Sequence, residues 1–352
     1  MNEWLVTPHL KAVTPFTRPA QAGGRTIDSM TTDPLKLSRR DAVTRTGALV
    51  GAVLSGGAWQ AKADAPTPQP PSSQAPFVFC LNTGTIRGQK LGIVKEAEVA
   101  AQAGFQGFEP WVGTIDEYSK SGGSLPDLKK RLADLGLSLE SAISFPEWIV
   151  DDDAKRAAGL ERAKRDMDVL SQLGGKRLAT PPAGATNTPG LDLARAAERY
   201  RALLELGDRM GIVPQLEVWG FSKNLSRLSQ CALVAIEAAH PKACVLADIF
   251  HLYKGGSDFG GLRLLSGQAI QVFHVNDYPA DPPRDQINDS FRVFPGDGVA
   301  PLTQILRDLR STGAGKVLSL ELFNKKYWQQ DAALTAREGL DKMKAAVRQA
   351  LG

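Results

Sequence analysis

Four residues in the second half of the chain have the types to hold one metal ion together: Glu217, Asp248, His274 and Glu321. Each closes a short apolar run, namely Val213-Pro214-Gln215-Leu216-Glu217, Cys244-Val245-Leu246-Ala247-Asp248, Ile270-Gln271-Val272-Phe273-His274 and Val317-Leu318-Ser319-Leu320-Glu321. Three carboxylates and one neutral imidazole suit a single divalent cation and leave positions for substrate oxygens. Mn²⁺ is the leading candidate, with Mg²⁺, Co²⁺ or Zn²⁺ as alternatives. A lone glutamate at a strand end is more often half of a structural ion pair. Four successive runs with the same ending point instead to an ion. The chemistry such a site supports is proton loss from carbon beside a carbonyl, giving an enediolate. One carboxylate takes the proton and a second returns it elsewhere or on the other face. Proton return gives isomerisation or epimerisation. Expulsion of a β-hydroxyl or a glycosidic oxygen gives a lyase or dehydratase.

The elements that must position these residues follow from the same runs. Apolar runs alternating with helix-patterned sequence indicate strands buried on both faces of a parallel sheet. Strands are expected at Phe77–Leu81, Gln106–Glu109, Leu137–Ser144 and Lys176–Thr180, ahead of the four metal-capable runs. Helices are expected near 90–103, 124–135, 153–173, 190–210, 224–239, 258–266, 300–311 and 331–349. Gly104, Gly136, Gly174 and Gly211 close the early ones. Eight such units predict an α/β fold, a single-domain (β/α)₈ TIM barrel over residues 77–352. In that fold every strand ends at the same mouth, so the four candidate ligands converge. An open doubly wound sheet is the alternative, but no Gly-rich phosphate fingerprint follows the first strand.

Other residues near predicted strand ends extend the site. Trp111 and Trp219 each lie two positions beyond a strand-end glutamate, and Trp148 and Trp328 follow the third and eighth strands. Aromatic faces pack against the apolar faces of sugars; the competing reading is that they wedge loops against the barrel. Glu109 and Glu147 at the same mouth either bond sugar hydroxyls or form structural pairs, and Asn82 ends the first strand. Asp277 either orients His274 or bonds its own loop.

The chain of 352 residues is 43% hydrophobic and 23% charged, enough for a large core. A net charge of +4 without a basic block gives no sign of nucleic-acid binding. Three cysteines, Cys80, Cys231 and Cys244, lack metal-finger spacing, and no obligatory disulfide is expected. Residues 35–65 place Ser38-Arg39-Arg40-Asp41 before a Gly/Ala-rich stretch and Ala61-Lys62-Ala63. They resemble a twin-arginine export signal, so residues 1–63 are expected to be a removed leader and the protein periplasmic. Met30 would give an n-region of ordinary length and competes with Met1 as the translation start. Residues 64–76 are a Pro/Ser/Gln-rich tether. No stretch is long and apolar enough for stable membrane insertion after processing.

From residue 77 to about 350 the chain resembles the sugar phosphate isomerase/epimerase superfamily with xylose isomerase-like TIM barrels. The resemblance rests on Leu216-Glu217, Asp248-Ile249-Phe250-His251, His274-Val275-Asn276-Asp277, Pro295-Gly296-Asp297-Gly298 and Leu320-Glu321. It implies that Glu217, Asp248, His274 and Glu321 are metal ligands and that Glu217 and Glu321 are the acid/base pair. It also implies that His251 contacts a substrate hydroxyl and that Arg292, with Arg284 as the competitor, orients the substrate. The implied partner is a small sugar or keto-sugar, and a homodimer is the implied assembly. Two other classes compete. A DNA-repair endonuclease on the same barrel needs several metals and more histidines than His240, His251 and His274 supply. A non-catalytic carbohydrate-binding barrel would have no need of the ligand set.

Overall fold

The computed structural model describes residues 77–315 and 317–352. The expected leader (1–63) and tether (64–76) lie outside the described residues. The chain opens with β1 (Val78–Asn82), α1 (Ile93–Ala103), β2 (Gly107–Glu109), α2 (Val112–Lys120), α3 (Leu125–Asp134) and β3 (Ser138–Leu139). It continues through α4 (Asp153–Leu173), β4 (Arg177–Thr180), α5 (Leu193–Met210), β5 (Val213–Glu217) and α6 (Leu228–Glu237). Then come β6 (Val245–Asp248), α7 (Ile249–Gly255), β7 (Val272–Val275), α8 (Leu302–Thr312), β8 (Val317–Leu320) and α9 (Ala332–Leu351). Asp152, Asp192 and Asp331 cap α4, α5 and α9 by accepting backbone N–H groups of the first turn.

All strand pairs are parallel, in the order β3-β2-β1-β8-β7-β6-β5-β4. The ends meet beyond β3. The Ala142 N–H donates to the Arg177 carbonyl (3.2 Å), the Ala179 N–H donates to the Ala142 carbonyl (2.8 Å), and Ile143 bridges both Trp111 and Ala179. The strand expected over 137–144 is therefore two pieces. Its first half pairs with β2, its second also reaches β4, and Glu140 between them gives its carbonyl to Arg177 Nη1 (3.1 Å). Two helices were not expected: α2, and α7, which follows β6 without a linker. The helix expected near 258–266 is a short 3-10 segment, Phe259–Leu264.

Alternation along the strands divides the core. Cys80, Ile143, Ala179, Leu246, Val272 and Val317 form a small apolar plug inside the barrel. Leucines, phenylalanines and alanines between strands and helices form the larger outer core. Above the plug the interior turns polar, and there the candidate site begins. The three cysteines are free and buried. Among the described residues no helix is long and apolar enough to cross a membrane.

Candidate metal centre and ligand cavity

β5, β7 and β8 carry Glu217, His274 and Glu321 to one point. One donor atom from each lies within 4.8 Å of the others, and each residue is at most 3% exposed. The approach of His274 Nδ1 to Glu321 Oε2 is 3.1 Å, yet it is too poorly aligned for a hydrogen bond. Neither His274 Nδ1 nor Glu217 Oε2 has a hydrogen-bond partner, although both are buried. Native proteins rarely leave such atoms unpaired. Donors that converge but do not bond one another fit a shared cation.

Asp248 stands beside this cluster. Its Oδ2 is 3.9 Å from His274 Nδ1, but that oxygen already accepts from Arg292 Nη1 and Asn276 Nδ2, each at 2.8 Å. Its Oδ1 caps α7 by accepting the His251 N–H (2.7 Å). The structure thus joins three of the four expected ligands directly and the fourth through Arg292. Arg292 is fully buried and also bonds Glu321 Oε2 (2.8 Å) and Asp289 Oδ1 (2.6 Å). Arg284, the alternative, lies elsewhere and gives its carbonyl to Lys254 (3.0 Å).

Of its two expected readings, sugar contact or structural pairing, Glu109 takes the pairing. It is wholly buried at the end of β2, and its Oε2 accepts from His274 Nε2 (3.0 Å), Ser319 Oγ (2.6 Å) and Asn82 Nδ2 (3.0 Å). Burial works to raise its pKa, but His274 outweighs that and holds it below the usual range, so Glu109 is ionised. An ionised carboxylate only accepts, so His274 Nε2 carries the hydrogen. Asp277, the other candidate for this task, bonds its own loop instead. It accepts the N–H groups of Tyr278, Ala300, Gly296 and Gly298 at 2.8 to 3.1 Å.

The two glutamates are driven apart. Burial and the facing Glu321 carboxylate push Glu217 up to about 8. Burial also works to raise Glu321, but His274 and Arg292 hold it down to about 2. His274 is raised well above its usual value because Glu321 and Glu109 outweigh its burial. His251 is lowered, by burial first and Arg292 among its charged neighbours, and stays neutral. Its Nε2 lies 3.1 Å from Arg292 Nη2 and must accept, so its Nδ1 carries the hydrogen, and that buried donor has no partner.

Glu217, His251 and Glu321 form part of the floor of a cavity of about 330 Å³. That volume is at the low end for ligand pockets, of the order of 300–1,000 Å³. Its walls carry Trp111, Phe145, Trp219, Phe221, Phe323 and Trp328. Three of the four tryptophans expected at the mouth are there. Trp148 is not: it is fully buried, gives its Nε1–H to the Pro181 carbonyl (3.1 Å) and packs on Tyr200. Glu147 is exposed and does not line the cavity. The phenylalanines were missed, although one spacing marks Phe323. Glu109-x-Trp111, Glu217-x-Trp219 and Glu321-x-Phe323 repeat the same step, because residues two apart on extended chain share a face. Gly84 and Gly88 let the segment after β1 pass against Phe323 and Trp328; a Cβ on Gly88 would lie 2.2 Å from Trp328 Cβ.

Comparison with known proteins agrees with this architecture. The family described as xylose isomerase-like TIM barrel matches residues 97–346. The 3-dehydroshikimate dehydratase of Pseudomonas putida is 25% identical over 248 residues, 70% of this chain and 38% of that protein. The inosose isomerase of Bacillus subtilis is 33% identical over 143 residues, 40% of this chain and 50% of the relative. The chain therefore spans well under two thirds of the length of the first curated relatives it matches. Among solved structures, the IOLI protein with a binding zinc atom superposes with a TM-score of 0.72. It is 20% identical, over 78% of this chain and 100% of that one.

Proposed function

The chain belongs to the xylose isomerase-like TIM barrel family, and from that premise we propose that it is a metal-dependent isomerase or epimerase of sugars or keto-sugars. The observation that carries the reading is the meeting of Glu217, His274 and Glu321, two of which line a cavity floor, with two of their buried donor atoms unpartnered. Glu217, His274 and Glu321 would hold the ion, with Asp248 as the fourth candidate ligand. When bound, a dication would polarise a substrate carbonyl and lower the barrier to losing the adjacent proton. Mn²⁺ is the first metal to try, and Mg²⁺, Co²⁺ and Zn²⁺ suit the same donors.

The side chains supply the rest. Glu217 and Glu321 are the acid and base, one taking the proton and the other returning it. The His251 Nδ1–H donates to a substrate oxygen, and Arg292 fixes that tautomer from behind. Glu109 fixes His274 with its Nε2–H inward, leaving Nδ1 free as a ligand. The aromatic walls keep water from the reacting carbons. A dehydratase outcome is the second reading, favoured by the likeness to the Pseudomonas putida enzyme. It uses the same proton abstraction and then expels a β-hydroxyl.

We also propose export by the twin-arginine route, supported by the Ser38-Arg39-Arg40 pattern and the stretch that follows it. Periplasmic location would favour unphosphorylated substrates. Exchanging both arginines for lysine should then hold the protein in the cytoplasmic fraction. The catalytic proposal is tested by incubating purified protein and Mn²⁺ with a panel of keto-sugars in D₂O. Deuterium should appear on carbon next to the carbonyl. No deuterium and no new product across the panel would remove the proposal.

A further inference from the structure

We infer that the outer part of the cavity takes a planar apolar group, an aryl substituent carried by the sugar on the side away from the floor. The inference deepens the reading above and rests on it for the sugar end. The polar groups and the aromatic groups of the cavity are segregated. Glu217, Glu321 and His251 are buried at the floor, while the walls rise as a connected series of rings. Phe323, Trp111, Phe145, Trp219 and Phe221 follow one another at centroid separations of 6.2, 5.1, 5.8 and 5.0 Å, and Phe221 closes on His251 at 5.7 Å.

A single sugar ring has small apolar faces and needs few such partners. A second sugar ring would need a hydrogen bond for each of its hydroxyls, and the walls offer few neutral groups for that: the unpartnered Trp111 Nε1–H and the Ser290 hydroxyl. Among the described lining residues the only hydroxyl or amide side chain is Ser290. The Trp328 Nε1–H is already given to the Gly84 carbonyl (3.0 Å). Hydroxyl groups stripped of water there would go unpaired, which costs affinity. Two cations also line the cavity, Arg87 and Lys325. Arg87 lies flat over Trp111 with its Cζ 4.0 Å from the ring centre, so it extends the planar surface.

A second observation points the same way. Phe145 and Phe221 are 38% and 47% exposed in the free protein. Large apolar rings left open at a cavity mouth mark a surface that a ligand covers. Both belong to the ring series that walls the cavity.

The test is binding, read by tryptophan fluorescence with Mn²⁺ present, of four glycosides of one aldohexose that carries a free ketone on its ring: phenyl, methyl, glucosyl and carboxymethyl. The phenyl compound should bind at least about 10-fold tighter than the methyl one, from the ring area removed from water. The glucosyl and carboxymethyl compounds should bind more weakly than the phenyl one. Phe221→Ala alters an exposed side chain and should keep the fold, with the phenyl preference reduced to under about 3-fold. Phenyl and methyl affinities within 3-fold of each other, no binding of the phenyl compound at millimolar concentration, or tighter binding of the glucosyl or carboxymethyl compound would overturn the inference. A phenyl preference without any turnover or deuterium exchange would remove the catalytic reading and leave this one standing. Turnover without a phenyl preference would do the reverse.

Discussion

Glu109→Gln isolates the most specific claim about the site, that a carboxylate beneath His274 sets which ring nitrogen is free. Glu109 Oε2 receives three hydrogen bonds, from His274 Nε2, Ser319 Oγ and Asn82 Nδ2, and Oε1 receives none. A glutamine has the same shape. Its oxygen can accept all three bonds, and its NH₂ falls where Oε1 has no partner. The change therefore removes charge and keeps geometry. Loss of a carboxylate behind a ligating histidine typically costs 10–100-fold in metal affinity, or about 1.4–2.7 kcal/mol at 1.36 kcal/mol per decade. Removing a buried negative charge near the ion acts in the same direction. The assay is competition with a coloured chelator at fixed pH, with thermal melting of the metal-free variant as the control for folding. An intact fold with metal affinity within 3-fold of the parent would refute the reasoning, since His274 would then need no anion behind it. Glu109→Ala is the poorer variant: it strands three buried donors at about 1–3 kcal/mol each and confounds binding with stability.

Glu217→Gln and Glu321→Gln should each lower carbon–deuterium exchange by about 10²–10⁴-fold, measured by NMR with substrate in D₂O; a variant retaining full exchange removes that residue as acid or base. Arg292→Met should destabilise the metal-free protein by about 3–5 kcal/mol in urea, because it leaves Asp248 and Glu321 buried without their cation; a loss below 1 kcal/mol would contradict this. The metal-free protein should melt at lower temperature as pH rises from 5 to 8. Glu217, pushed up to about 8, and His274, also raised, hold protons in the folded state that the unfolded chain has released, so stability is lost as pH climbs through that window. A flat or rising profile in differential scanning calorimetry would contradict it. Metal binding near neutral pH should release about two protons per ion, read from calorimetry in two buffers of different ionisation enthalpy.

The barrel was legible because a parallel strand buried on both faces writes itself as an unbroken apolar run, and the ends of β5, β6, β7 and β8 were marked by residues too polar for such a run. Contacts across the barrel were not legible. Glu109 and His274 are far apart in the chain, on β2 and β7, and only closure of the sheet brings them together. Sequence spacing left Arg292 and Arg284 open, and folding places Arg292, not Arg284, against Asp248 and Glu321. The break in the third strand was hidden because 137–144 reads as one run, although only its second half also reaches β4. Helix α7 was hidden for a related reason: Asp248 ends β6 and caps the next helix with the same side chain, so no spacer announces the boundary.

Charge explains why so polar a floor tolerates burial. Four buried carboxylates, Glu109, Glu217, Asp248 and Glu321, face one buried guanidinium, Arg292, and two imidazoles, His251 and His274. In the metal-free protein burial and Glu321 raise the pKa of Glu217, and Glu321 and Glu109 raise that of His274, so a proton held at either group softens this imbalance. A dication replaces two protons without changing the net charge of the cluster. Arg292 makes the same point from the opposite side. It cannot lose its proton, so it is a permanent counter-charge for Asp248 and Glu321, whereas Glu217 and His274, which can lose theirs, are the groups left with donor atoms free. Fixed charge sits where the structure must hold in both states, and exchangeable charge sits where the ion arrives.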